Sequence, residues 1–164
     1  MKERSGSQCE VFERSYFFNP FLMQTASDSD LARELNNLAG HYIYEDNTPN
    51  EVAFNINLES DMLMIYGEFI ARFQKEAELT KLDADILEAK STYQLRKDWV
   101  ATTNEKPPAM SYFEAQGEEI SKSLRTTQIN AESMLTRFKK AYTSLETKQN
   151  ALKKKLEAMR YEEV

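Results

Sequence analysis

The apolar residues near the N-terminus follow no regular period. The stretch "VFERSYFFNPFLM" is aromatic and apolar, but it matches neither the period of 2 of a strand nor the period of 3.6 of a helix. This aromatic N-terminal segment either docks onto a helical surface of its own chain or inserts into a neighbouring subunit or partner. The pattern leaves both alternatives open.

A helical pattern begins with "SDSDLARELNNLAG". Three leucines follow the spacing of one helix face until Gly40, and Asp28 or Ser29 is placed to cap the N-terminus. We therefore predict a short amphipathic helix over about residues 29–39. The segment "HYIYEDN" then forms a brief link.

The stretch "TPNE" predicts the start of a long helix. Thr48 and Glu51 have the spacing of a capping box, in which each side chain accepts a hydrogen bond from a free backbone N–H, and Pro49 takes the first helical position. This first arm should run over about residues 49–101. Its broad apolar face contains Val52, Ile56, Leu63, Tyr66, Ile70, Phe73 and Ala77, with Met62, Ile65 and Phe69 beside it.

Beyond Ala77 the apolar face of the first arm narrows. Its members are then separated alternately by three and four residues, and the stripe reaches the end of the arm. These residues are Leu79, Leu82, Ile86, Ala89, Tyr93 and Val100.

A second arm is predicted over about residues 112–161, after the pair Pro107-Pro108. Ser111 and Glu114 offer another capping box. About five heptads follow, which is the pattern of a coiled coil. The seam positions are Leu124, Gln128, Ala131, Leu135, Phe138, Tyr142, Leu145, Gln149, Leu152, Leu156 and Met159.

Two capped helices joined by a short link most economically form an antiparallel hairpin. The sequence thus predicts an all-α fold: an N-terminal part, residues 1–47, and a long helical hairpin or coiled coil, residues 48–164. Two helices alone cannot cover the broad face of the first arm. Self-association is therefore expected, with the apolar residues of the second-arm seam as its candidate surface.

The charges differ between the arms. The net charge of the chain is -6, yet residues 131–160 contain eight Lys or Arg against three acids. The acids of the first arm, which would lie beside this basic stretch, are Glu68, Glu76, Glu78, Asp83, Asp85 and Glu88. We therefore interpret the lysines of the second arm as a solvated or pairing face of the coiled coil, in preference to a nucleic-acid patch.

The sequence lacks the residue patterns of common enzymes. His41 is the only histidine and Cys9 the only cysteine, and four scattered glycines form no phosphate-binding loop. We expect no catalytic residue, no metal site and no cofactor. No apolar run is long enough to span a membrane and no signal peptide begins the chain, so we expect a soluble, cytoplasmic protein without a membrane partner.

Basic and aromatic side chains crowd around the predicted turn between the arms. Such a mixture can hold single-stranded DNA, because cations track phosphates and aromatic rings stack on bases. The alternative is that the aromatic residues only seal the end of the hairpin. The candidates are Arg96, Lys97, Trp99, Lys106, Tyr112 and Phe113.

The layout of the two arms is similar to that of the UvsY-type recombination mediators of phages. The resemblance rests on "DMLMIYGEFIARFQKEAELTKLDADILEAK", on the basic "LRK" before the break, and on "EEISKSLRTTQINAESMLTRFKK". It implies a homo-oligomer, in one form a ring, that binds single-stranded DNA and loads a RecA-like recombinase onto strands covered by single-strand-binding protein. It also implies DNA contact by Arg96 and Lys97, with Lys90 one to two turns earlier. The acidic balance and the aromatic N-terminal segment depart from that family.

Two functions therefore remain open. The first is a recombination mediator located in the cytoplasm, of the host cell if the protein is phage-encoded. The second is a coiled-coil interaction protein without a nucleic-acid role, such as a phage-type inhibitor, adaptor or assembly factor.

Overall fold

The computed structural model describes residues 20–162, with side chains from residue 23 onward, and 88% of this part is helical. Four helices follow one another, and no strand occurs among the described residues: α1 (Pro20–Thr25), α2 (Asp28–Gly40), α3 (Pro49–Thr102) and α4 (Met110–Glu162). The expected all-α fold is confirmed. The first nineteen residues, which contain most of the aromatic N-terminal segment, lie outside the described residues, and so do both alternatives for its role.

The starts of α2 and α3 follow from local backbone chemistry. The Ser27 hydroxyl accepts a hydrogen bond from the Asp30 N–H at 3.2 Å, so the cap of α2 is one residue earlier than predicted. At α3 the predicted box is present: Thr48 Oγ1 accepts from the Glu51 N–H at 3.3 Å, and Glu51 Oε2 accepts from the Thr48 N–H at 2.9 Å. These two caps need no tertiary contact.

The predicted capping box at Ser111 is wrong, because α4 begins before it, at Met110. The Tyr112 N–H already bonds the Ala109 carbonyl at 3.0 Å, so Ser111 lies inside the first turn. At the other end of the link, the N–H and the hydroxyl of Thr103 both donate to the Trp99 carbonyl and close α3. The link between the arms is residues 103–109.

The two long helices pack against each other in antiparallel orientation. The Phe138 ring stacks on Phe69 with centroids 4.6 Å apart, and Arg125 donates to Asp85 at 2.6 Å. The earlier of these two α4 residues therefore contacts the later of the two α3 residues, as an antiparallel pair requires. The predicted hairpin is present, and α1 and α2 pack against α3 over its first half.

The first half of the hairpin is three helices thick. Its core joins Met23, Leu31 and Leu38 to three residues of α3, namely Leu58, Ile65 and Phe69. Arg72 of α3 holds the N-terminal helices in place: its guanidinium bonds the Asp28 carboxylate at 2.8 Å and the Met23 carbonyl at 2.9 Å. Part of the broad apolar face of α3 is thus covered within one chain.

Polar side chains are also buried in this half. Glu59 is fully buried, with Lys148 Nζ at 3.3 Å from its Oε1, and that ammonium lies over the Tyr42 ring. Burial raises the pKa of Glu59 above its usual range, although the attraction of Lys148 opposes the shift. The charged form of this carboxyl is therefore costly to keep in the folded state.

Among the described residues, the second half of the hairpin consists of α3 and α4. Apart from Phe113 at the turn end, the buried positions there are small residues: Ala77, Ala84 and Thr92 on α3, and Gly117, Ser121 and Ala131 on α4. Gly117 marks the closest approach, because a Cβ atom there would lie 2.4 Å from Thr92 Oγ1 and 2.9 Å from the Glu88 carbonyl oxygen. The two backbones can lie this close only where side chains are small.

Because small residues of α3 face α4, the larger apolar residues of the same segment face outward. Leu82 and Ile86 are each two residues from buried Ala84, which turns them by about 200° around the helix axis. We call the six residues of this exposed face the outer α3 stripe: Leu79, Leu82, Ile86, Ala89, Tyr93 and Val100. The sequence pattern had made this stripe a continuation of the buried face, and the structure corrects that interpretation.

We predict that Gly117→Ala destabilises the hairpin. The added methyl group collides with the Glu88 backbone and must push the helices apart, at a cost of about 1–3 kcal/mol. Urea denaturation followed by circular dichroism measures this change in the free energy of unfolding. Gly67→Ala is the matched control, since nothing lies within 4 Å of the new atom, and it should stabilise the helix by about 1 kcal/mol. Equal effects at both sites would contradict the close approach.

We also predict a pH-dependent gain in stability for Glu59→Gln. The folded state binds the Glu59 proton more tightly than the unfolded chain, so the parent loses stability relative to the variant as pH rises above 4.5, the ordinary pKa of this side chain. Urea denaturation of both proteins between pH 4 and pH 8 measures the difference. A gap that stays constant with rising pH would show that Lys148 fully compensates the buried charge, and a gap that narrows would show that it more than compensates.

Candidate nucleic-acid interface

An open groove of about 650 Å³ lies at the turn end of the hairpin, between the last turns of α3 and the first turn of α4. Ala89, Tyr93 and Val100 supply apolar surface from α3, and Met110 supplies it from α4. Charged groups at the groove come from both helices. This is the place where the sequence predicted basic and aromatic residues to meet.

Arg96 and Lys97 both line the groove and both are exposed. Arg96 Nη1 lies 3.8 Å from the Met110 sulfur, its one polar contact among the described residues, and Lys97 has no ion pair within that part of the chain. Lys90 and Lys106 are exposed as well, Lys90 on α3 and Lys106 in the link, but neither lines the groove. Two of the four predicted basic residues are thus brought together.

The acidic groups of the groove are largely neutralised. Arg125 of α4 donates to Asp85 at 2.6 Å and to Glu88 at 3.0 Å, and bonding to Glu88 and Asp85 raises the pKa of Arg125 further. Glu114 is the remaining acid on the lining, and no described residue pairs with it. With Arg96, Lys97 and Arg125 set against Asp85, Glu88 and Glu114, the groove is close to neutral overall, and its cations without an ion pair to a described residue are Arg96 and Lys97.

The three predicted aromatic residues pack edge to face against one another. The ring centroids are 6.3 Å apart for Trp99 and Phe113, 6.4 Å for Trp99 and Tyr112, and 5.4 Å for Tyr112 and Phe113. Phe113 is only 2% exposed, whereas Tyr112 is 47% exposed. Phe113 and Trp99 close the end of the hairpin, and Tyr112 alone keeps much of its surface open to solvent.

Two residues that bear on the chemistry of the groove were not among the sequence candidates for the site. Tyr93 is 68% exposed and lines the groove one turn before Lys97, but its spacing had placed it in the apolar stripe. Arg125 does not line the groove, and it reaches the lining acids Asp85 and Glu88 only through the pairing of the arms. The position of Tyr93 one turn before a basic residue was a usable signal, whereas Arg125 offered none.

The predicted seam residues of α4 form a separate set. They are half-buried or buried, and Phe138 stacks on Phe69 and Phe73 of α3 within the same chain. Gln149 likewise donates to Ser60 Oγ at 2.6 Å. The remaining members of the set are Leu124, Gln128, Ala131, Leu135, Tyr142, Leu145, Leu152, Leu156 and Met159. Within one chain, the seam residues of α4 thus pack against α3 and hold the hairpin together.

The described residues contain no group of three or more His, Cys, Asp or Glu side chains placed to hold a metal ion. Among them, no helix combines the length and the apolar character that a membrane span requires. Comparison of the chain with protein families, curated proteins and solved structures finds no match. The functional argument therefore rests on the groove and on the chemistry of its residues.

We predict that Phe113→Ala destabilises the turn end of the hairpin by about 3–5 kcal/mol, because it empties a buried aromatic site. Tyr112→Ala is the matched comparison and should cost less, since nearly half of that ring is exposed. Thermal and urea denaturation measure both changes. Similar losses for the two variants would mean that the aromatic residues act as one closed cluster with no ring free for a ligand.

Proposed function

We propose that the protein binds single-stranded DNA as a recombination mediator. The observation that carries this proposal is the groove at the turn end, where exposed Arg96 and Lys97 lie beside the exposed Tyr93 ring. Cations beside an accessible aromatic face are the elements that single-stranded nucleic acid requires. The ion pairs of Arg125 with Asp85 and Glu88 support the proposal, because they reduce repulsion between the groove and phosphates.

Within this proposal the groove residues have different roles. Arg96 and Lys97 bind phosphate oxygens, and neither must first give up an ion pair with a described residue. Tyr93 offers a ring face for one base, a contact worth about 1–3 kcal/mol. Tyr112 lies outside the groove lining and is the one predicted aromatic residue with much of its ring exposed. Phe113 and Trp99 act indirectly, because they hold the first turn of α4 against the end of α3.

One such groove is small, so the proposal includes self-association. Copies of the groove in a homo-oligomer, in one form a closed ring, would bind one strand through a high effective concentration even where each groove is weak. The RecA-like recombinase and the single-strand-binding protein enter as partners through the resemblance to the phage mediators. A cytoplasmic location belongs to the same proposal, and no cofactor is required.

A second candidate is a coiled-coil interaction protein without a nucleic-acid role. The observation that favours it is the outer α3 stripe, whose large side chains are 42–68% exposed. A contiguous apolar surface of this kind usually marks a protein interface. The two candidates differ in whether Arg96 and Lys97 act on phosphate.

The test is titration of labelled oligo(dT) with the protein at two salt concentrations. We expect binding that weakens as salt rises, because phosphate contacts release counterions. Arg96→Ala combined with Lys97→Ala should weaken binding about tenfold or more at low salt and flatten the salt dependence. Circular dichroism should show unchanged helicity, since neither side chain is buried.

The matched control replaces two other exposed lysines, Lys139→Ala with Lys140→Ala, in the middle of α4. This variant removes the same charge far from the turn and should change binding by less than about threefold. Equal weakening by both pairs would move the DNA contact to the basic face of α4. Absence of binding at low salt would favour the interaction protein.

A further inference from the structure

We propose that the outer α3 stripe is the surface through which two copies of this chain associate, with the two α3 helices antiparallel. The inference deepens the self-association included in the proposed function by naming its surface and orientation. It rests on the exposed face of α3 and requires no contact with DNA. Tyr93 and Lys97 belong to both the groove and this interface, so the interface is tested without DNA and through Leu82 and Ile86, which do not line the groove. Failure of DNA binding and failure of this interface are then separate results.

The spacing of the stripe is that of a coiled-coil seam. From Leu79 to Tyr93 its members are separated by three, four, three and four residues, and Val100 follows after one further heptad. The face of α3 that contacts α4 has a different membership, with Ala84 and Thr92 at its centre. The second half of α3 thus has two helix-packing faces, of which one is occupied by α4 and the other is open.

The charges beside the stripe determine the orientation of the second copy. Glu78 and Asp83 flank its first half, and Lys90 and Lys97 flank its second half. None of the four has an ion pair among the described residues. In an antiparallel copy Asp83 lies beside the partner's Lys97 twice per dimer, which outweighs the single approach of the two Lys90 side chains at the two-fold axis. A parallel copy instead brings Glu78 of one copy beside Asp83 of the other.

The sizes of the side chains also fit an antiparallel register in which Asp83 lies opposite the partner's Lys97. When Asp83 lies opposite the partner's Lys97, Tyr93 lies near the partner's Ala89 and Val100 near the partner's Leu82. A large ring then meets a small side chain on each side of the two-fold axis. Such alternation of large and small residues lets two helices interdigitate closely.

The exposed area suits an interface of this type. Five half-exposed large side chains leave on the order of 500 Å² of apolar surface on one copy, at the upper end of what a monomer usually exposes. Two stripes facing each other would bury about 1,000 Å², which reaches the range of specific protein interfaces. No described helix of the same chain covers this face.

The first experiment measures self-association by sedimentation velocity at several protein concentrations, without DNA. We expect a concentration-dependent dimer or a larger assembly built from it. Leu82→Ser with Ile86→Ser should raise the dissociation constant at least tenfold, because it removes apolar area at the seam. Ile129→Ser is the matched control: Ile129 is 63% exposed on α4, away from the stripe, and its loss should leave association unchanged.

The second experiment tests the orientation by exchanging charges. Asp83→Lys or Lys97→Asp alone should weaken association about tenfold, since each places like charges opposite one another twice per dimer. The combined variant should restore association to nearly the parent level. Circular dichroism checks folding, and both side chains involved are exposed.

Three outcomes would overturn the inference. A monomer at every concentration would mean that this face is covered by something other than a second copy, such as residues 1–19 or another protein. Association that survives Leu82→Ser with Ile86→Ser would place the interface elsewhere. Single charge variants that weaken association without rescue by the combined variant would exclude the antiparallel register.

Discussion

The close approach of α3 and α4 near Gly117 is the constraint on which the second half of the hairpin depends. A Cβ atom at position 117 would collide with Thr92 Oγ1 and the Glu88 carbonyl oxygen. The two backbones can therefore lie this close only where the side chains between them are small. This contact determines which face of α3 is buried. The rotation of α3 in turn determines which residues line the groove and which form the outer stripe.

Charge and aromatic packing then give the second half of α3 two different surfaces, the groove and the outer α3 stripe. Trp99 and Phe113 hold the first turn of α4 against the end of α3, so that Met110 and Arg96 meet at the groove. Arg125 pairs with two acids on the groove wall, so that Arg96 and Lys97 remain as the cations of the groove that have no ion pair with a described residue. The outer α3 stripe lies beside this groove, and Ala89, Tyr93 and Val100 belong to both. The surfaces proposed for self-association and for DNA binding therefore overlap on one helix.

Much of the fold was predictable because it depends on short-range chemistry. The Thr48–Glu51 box and the heptads of α4 each involve residues within a few turns of one another. The capping box predicted at Ser111 is absent because α4 already begins at Met110, soon after Pro108. Where α4 begins depends on how the turn packs. Arg96 and Lys97 were predicted from their position beside the turn, whereas Arg125, which pairs with two acids of the groove, lies on α4, 29 residues after Arg96.

The sequence by itself determined the helices, their caps and their pairing into an antiparallel hairpin, because periodicity and backbone hydrogen bonding act locally. Only the tertiary structure decided which of the two possible faces of α3 is buried. Large apolar residues at heptad spacing predict a packing face, yet they do not say which helix packs there. The small residues around Ala84 and Gly117 allow closer contact, and α4 lies on them. The larger side chains are thereby left at the surface, where a partner can reach them.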